Sequence, residues 1–271
     1  MALGPCRNVI EPQPTGLQGR ADACHLALRC LDLTSLNDTD APFDVERLCR
    51  RAQTRFGPVA AVCVWPRFAA LARQQLPPSI AVAAVANFPA GGVDIEPVLH
   101  EVHEIVVAGA QELDLVLPWR ALRDGDDAAA ARLLDAVRGA CAGLRLKVIL
   151  ETGELHDAAL ITRAAGLALA HGADFLKTST GKTARGATPS AWRLLLQAVS
   201  ADVGARGHVG VKASGGVRTI ADALPYIEIV REVLGDAALQ PQRFRIGASS
   251  LLDDIDAVLG GLPSGAASQG Y

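Results

Sequence analysis

Residues 172–182 read Gly172-Ala173-Asp174-Phe175-Leu176-Lys177-Thr178-Ser179-Thr180-Gly181-Lys182. A short apolar run ends in a lysine, then breaks into small hydroxylated residues and a glycine. That is the pattern of a buried strand whose last side chain is an amine and which opens into a loop of hydrogen-bond donors. Burying the amine costs solvation. It also depresses the pKa, and a neutral amine is what Schiff-base attack on a carbonyl needs. The competing reading is a lysine that snorkels from the strand end to solvent.

On both sides of this stretch, apolar strand candidates alternate with helical periodicity. Strands are expected at 30–34, 59–64, 80–86, 112–117, 144–150, 173–177, 209–213 and 243–247. Helices are expected at 21–29, 44–56, 66–75, 96–108, 128–142, 156–171, 189–201, 220–234 and 249–259. Regular alternation implies parallel strands with helical crossovers, and eight units in about 250 residues is the size of an α/β, single (β/α)8 TIM barrel. An open doubly wound sheet is the rival, but no GxGxxG follows the first strand. Gly181-Lys182-Thr183 resembles the end of a P-loop, yet Leu176 stands where that motif needs glycine. The expected division is a lead-in at 1–17, the barrel at 18–260 and a flexible tail at 261–271.

Composition narrows the class. Half of the 271 residues are hydrophobic, enough for one large core. No apolar run is long and charge-free enough to span a bilayer, and residues 1–18 lack the order of a signal peptide. A net charge of −3 without a basic stripe gives no reason to expect nucleic acid as a partner. Cys6, Cys24, Cys30, Cys49, Cys63 and Cys141 are scattered, with no CxxC pair and no zinc spacing. They read as free thiols in a reducing compartment, so the expectation is a soluble cytoplasmic protein with no metal. A homodimer is expected on general grounds.

Side chains two apart on a strand share a face. That rule collects Asp32 and Thr34, Glu112 and Asp114, Lys147 and Glu151, Lys177, and Lys212 on one parity, while the opposite parity is leucine and valine. The polar set should face the barrel axis near its C-terminal mouth, where barrel active sites lie. A structural ion-pair cluster is the alternative. If Lys177 and Lys212 end neighbouring strands, one cation should favour the neutral form of the other. Asp114 and Asp32 could then carry protons through a water. Gly215-Gly216-Val217-Arg218 and Gly247-Ala248-Ser249-Ser250 follow the seventh and eighth strands, the usual phosphate-binding loops of a barrel, and Thr180-Gly181-Lys182 could close that site.

Several segments together are similar to the deoxyribose-phosphate aldolase family. They are LDLTSLN from Leu31, VCVWPRF from Val62, Asn87-Phe88-Pro89, ELDLV from Glu112, KVILETGEL from Lys147, GADFLKTSTGK, VKASGGVRT from Val211, and RFRIGASSLL from Arg243. The match spans about residues 20–260 in order. The resemblance implies a class I aldolase that needs no metal or cofactor. It would cleave 2-deoxy-D-ribose 5-phosphate reversibly to D-glyceraldehyde 3-phosphate and acetaldehyde.

By resemblance, Lys177 is the Schiff-base lysine, Lys212 the lysine that lowers its pKa, and Asp114 the proton relay. Asp32, Thr34 and Lys147 form the polar network around them. Cys63 matches a cysteine near the substrate, or is simply a packed thiol. Thr180, Gly181, Lys182, Gly215, Gly216, Arg218, Gly247, Ser249 and Ser250 would hold phosphate, and the C-terminal Tyr271 would assist proton transfer. Another class I sugar-phosphate aldolase, of the transaldolase kind, would share one lysine but not both lysine motifs. A phosphosugar-binding barrel without catalysis is the remaining alternative.

Overall fold

In a computed structural model, which describes residues 17–265, eight parallel strands close on themselves as a barrel. The strands are β1 (Leu31–Thr34), β2 (Ala61–Val64), β3 (Ala81–Ala86), β4 (Glu112–Val116), β5 (Arg145–Ile149), β6 (Phe175–Lys177), β7 (Gly210–Ser214) and β8 (Phe244–Ala248). Each pairs with its successor in the chain, and β8 returns to β1 with Leu31 opposite Ile246. The closure excludes the open-sheet alternative. No helix among the described residues is long and apolar enough to cross a membrane.

The strand alternation sorts the interior as expected. Leu31, Leu33, Leu113, Leu115, Leu146, Val148, Leu176 and Val211 are wholly buried against the helical layer. Each such side chain contributes about 1.5–3 kcal/mol by leaving water. On the axis, Phe175 fills the space opposite Gly210, where an added Cβ would sit 2.4 Å from the ring. Gly247 makes similar room, since a Cβ there would lie 2.9 Å from Lys212 Cε. The β2–β3 side of the axis is apolar instead, with Cys63, Ala83 and Val85 under Leu36, Trp65 and Phe88.

Several boundaries differ from expectation for local reasons. The helix expected over 44–56 runs Pro42–Arg51, because Gly57 (φ 123°) and Pro58 form a two-stranded hairpin with Gln53–Thr54. The helix expected from 156 begins at Ala158, since His156 has φ 54° and Asp157 caps the Ala159 N–H. Short helices at Trp119–Arg123 and Thr152–Leu155 were not expected. The last helix is Leu251–Leu259, which leaves Ser249 and Ser250 as loop. The first helix starts at Leu17, one residue inside the expected lead-in. The rest of that lead-in, most of the tail and Tyr271 lie outside the described residues. Cys24, Cys30, Cys49, Cys63 and Cys141 are free and buried.

Candidate active site

The register places Lys177 directly beside Lys212 on the adjacent strands β6 and β7. Their Nζ atoms lie 2.8 and 2.7 Å from the same oxygen, Asp114 Oδ2, so they are at most the sum of these, 5.5 Å, apart. Lys147 donates to the other oxygen, Asp114 Oδ1, at 2.6 Å. One carboxylate from β4 thus holds three lysines from β5, β6 and β7. Below it, Lys147 pairs with Glu112 at 2.6 Å, and Lys212 pairs with Asp32 at 2.5 Å. Arg245 closes the base of the network, reaching Asp32 at 2.5 Å and Glu112 at 2.8 Å.

Four buried cations (Lys147, Lys177, Lys212, Arg245) here face three carboxylates, and the partly exposed Arg145 adds a fifth cation at Glu112. The cation excess favours one neutral amine, and the surroundings select which. Burial pushes the Lys177 amine down; Asp114 opposes this and the Lys212 cation reinforces it, leaving Lys177 below the usual lysine value. Burial acts on Lys212 as well, but Asp114 and Asp32 outweigh it and raise its pKa. Lys147 is raised for the same reason, by Asp114 and Glu112. At Asp114, burial is overcome by the three lysines, which hold the carboxyl well below the usual carboxylate range. Asp32 is likewise depressed, by Lys212, Arg245 and Lys147 acting against burial.

Above the network a cavity of about 330 Å³ opens at the C-terminal mouth. Lys177 lines it, while Lys147 and Lys212 do not. Every residue expected to hold phosphate lines it too: Thr180, Gly181, Lys182, Gly215, Gly216, Arg218, Gly247, Ser249 and Ser250. Gly181, Gly215 and Gly216 have φ of 79°, 86° and 92°, a backbone region that only glycine enters freely. The N–H groups of Gly181, Gly216, Ser249 and Ser250 make no hydrogen bond within the described residues. Ser249 and Ser250 also precede the N-terminus of the Leu251–Leu259 helix. Free amides, a helix N-terminus and the Lys182 and Arg218 cations form an anion cradle.

A family model described as DeoC/LacD family aldolase matches residues 26–256. The chain belongs to the DeoC/LacD aldolase family. A deoxyribose-phosphate aldolase of Agrobacterium fabrum is 45% identical over 258 residues, covering 94% of this chain and 98% of that one. A Toxoplasma gondii structure with a provisional deoxyribose-phosphate aldolase description superposes with a TM-score of 0.83 at 25% identity, over 92% and 98% of the two chains. The deoxyribose phosphate aldolase of Aeropyrum pernix, described as a unique tetramer, gives 0.68 at 26% identity over 89% and 97%. The chain is therefore an aldolase, a carbon–carbon lyase on a (β/α)8 barrel.

Within this family member, most expected site residues converge. Thr34 lines the cavity, its hydroxyl turned to its own strand at Asp32 O, 2.9 Å away. One detail favours the packed-thiol reading of Cys63, and two others correct the sequence reading. Cys63 does not line the cavity; its Sγ is 3.9 Å from Asp114 Oδ2, and burial raises its thiol pKa. Asp32 contacts Arg245, Lys212 and Lys147 but not Lys177, so it acts on Lys212. Glu151 is not on the axial face of β5, because the strand ends at Ile149 and Glu151 turns at φ 54° toward Thr180. Arg245 was missed, because the parity rule was not carried to the expected strand at 243–247; applied there it would have set Arg245 on one face with Gly247.

Proposed function

We propose that this aldolase cleaves 2-deoxy-D-ribose 5-phosphate reversibly to D-glyceraldehyde 3-phosphate and acetaldehyde, with Lys177 as the Schiff-base nucleophile. One observation carries the reading. Of the three buried lysines, the one that lines the cavity is the one whose pKa is pushed down, and the same cavity holds the anion cradle. A five-carbon aldehyde with a terminal phosphate fits that arrangement, its carbonyl at Lys177 and its phosphate among the glycine and serine loops.

The steps follow from the charges. The neutral Lys177 amine attacks the C1 carbonyl carbon, forming the C–N bond, and the carbonyl oxygen leaves as water after gaining two protons. In the resulting iminium, loss of the C3 hydroxyl proton breaks the C2–C3 bond. The electron pair moves into the iminium, giving an enamine on Lys177 and releasing glyceraldehyde 3-phosphate. Protonation at C2 and hydrolysis then return acetaldehyde and the free amine. The Lys212 cation stabilises negative charge on oxygen during attack. Asp114, hydrogen-bonded to both amines, passes protons between Lys177, Lys212 and a water entering from the mouth in this reading. Lys147 holds Asp114 in place, and Asp32 holds Lys212. Tyr271, outside the described residues, is proposed to assist the proton transfer at C2.

A cytoplasmic homodimer belongs to the same proposal; mass measured by light scattering distinguishes it from the tetramer described for the Aeropyrum relative. The decisive assay is product formation from deoxyribose 5-phosphate, read as glyceraldehyde 3-phosphate by a coupled dehydrogenase. Turnover that disappears in Lys177→Met supports the reading. Binding of the sugar phosphate without turnover in the unaltered protein would leave a phosphosugar-binding barrel.

A further inference from the structure

Glu151 is a buried carboxylate that the mechanism above does not use. It follows β5 with φ 54°, a left-handed conformation unfavourable for a residue with a side chain. It is wholly buried, and the cation that acts on it electrostatically is Lys177, with no ion pair closer than 4 Å among the described residues. Its partners instead are donors from the loop after β6. The Thr180 hydroxyl donates to it at 2.5 Å and the Thr180 N–H at 3.3 Å to each oxygen, while the Thr183 hydroxyl, 3.4 Å away, shares its one proton with Arg185 O at 3.3 Å.

We propose that Glu151 is a positioning residue that fixes the Thr180–Lys182 loop in its anion-binding conformation, so that the site favours phosphorylated sugars. This rests on the phosphate-site reading given above. Because the Thr180 hydroxyl gives its proton to Glu151, its lone pairs are free to accept the Lys182 N–H at 3.0 Å. Thr180 and Lys182 are pinned in that way on either side of Gly181. The intervening Gly181 N–H carries no hydrogen bond within the described residues, and Gly181 lines the cavity.

The far end of the loop is fixed by close backbone approach. A Cβ on Gly153 would lie 2.1 Å from Arg185 O, and one on Gly186 would lie 2.3 Å from Gly215 O. Ala187 N–H donates to Ser214 O and Gly215 O, tying the same loop to the β7 side of the cradle. The carboxylate is thus the one charged group that joins the end of β5 to this loop among its recorded hydrogen bonds. The carboxylate offers an acceptor at both oxygens, whereas glutamine keeps one accepting oxygen and turns an NH2 group toward the donors at the other. The mismatch disturbs bonds to a charged acceptor, which are among the strong ones.

The test is Glu151→Gln, read two ways. Competitive inhibition by inorganic phosphate should weaken at least about tenfold, with a matching rise in KM for deoxyribose 5-phosphate. Borohydride trapping of acetaldehyde on Lys177, which involves no phosphate, should stay within about twofold. Unchanged phosphate inhibition, or an equal loss of phosphate inhibition and trapping, overturns the proposal. Should Glu151→Gln not fold, Thr180→Ala and Thr180→Ser decide: alanine must weaken phosphate inhibition and serine must restore it, and equal behaviour of the two overturns the proposal. Absence of trapping in the unaltered protein would instead be a failure of the aldolase mechanism.

Discussion

Replacing Lys212 by methionine removes a cation of matched length from a tight place. The two ammonium groups share Asp114 Oδ2 at 2.8 and 2.7 Å and are at most 5.5 Å apart. At an effective dielectric constant of about 20, that separation corresponds to about 3 kcal/mol of repulsion or more, roughly a hundredfold in the neutral fraction of Lys177 at fixed pH. The sign follows from the surroundings. Burial and Lys212 push the Lys177 pKa down and Asp114 pushes it up, so removing Lys212 leaves Asp114 opposed by burial alone and raises the pKa. The assay is the initial rate of borohydride-trapped adduct with acetaldehyde across a pH series. Lys212→Met should lower the rate at neutral pH by about two orders of magnitude, and raising the pH should recover it. A rate that falls equally at every pH, with the profile unmoved, would refute the reasoning and confine Lys212 to a pH-independent role in the chemistry.

Asp114→Asn strips the shared partner from three lysines; loss of one member of a buried ion-pair set costs about 3–5 kcal/mol, so calorimetry should show Tm lower by roughly 10 °C, with turnover lost. Gly210→Ala drives a methyl into the Phe175 ring, and the overpacking should cost about 1–3 kcal/mol in denaturant unfolding while the trapping pH profile stays in place. Asp32, Glu112 and Asp114 all have depressed carboxyl pKa values in the fold. Their contribution is therefore present above the unfolded carboxylate range near 4 and is lost as pH falls through the lower folded values, so urea unfolding should show stability declining below about pH 4. Stability that is flat to pH 2 would contradict the network.

The barrel was readable because its signal is periodic. Alternation of two residues put Asp114, Lys147, Lys177 and Lys212 on one face and leucines on the other, and chain order made Lys177 and Lys212 neighbours. The phosphate loops were readable because glycines at positive φ announce themselves in sequence. What sequence could not supply was how far each side chain reaches. Asp32 lies on the right face, but its carboxylate is committed to Arg245 and Lys212. Cys63 sits on the wall beside Asp114 instead of lining the cavity. Glu151 keeps the parity of Lys147, but the strand stops at Ile149, and a left-handed turn sends its carboxylate to Thr180. That ending has no local marker, because the turn is held by contacts with the loop after β6, about 30 residues downstream.

The central claim is that Lys177, and not Lys212, forms the covalent intermediate. Borohydride reduction in the presence of deoxyribose 5-phosphate, followed by peptide mass mapping, addresses it directly. The account predicts a reduced two-carbon adduct on the peptide that carries Lys177, absent in Lys177→Met. An adduct on Lys212 in the unaltered protein would contradict it.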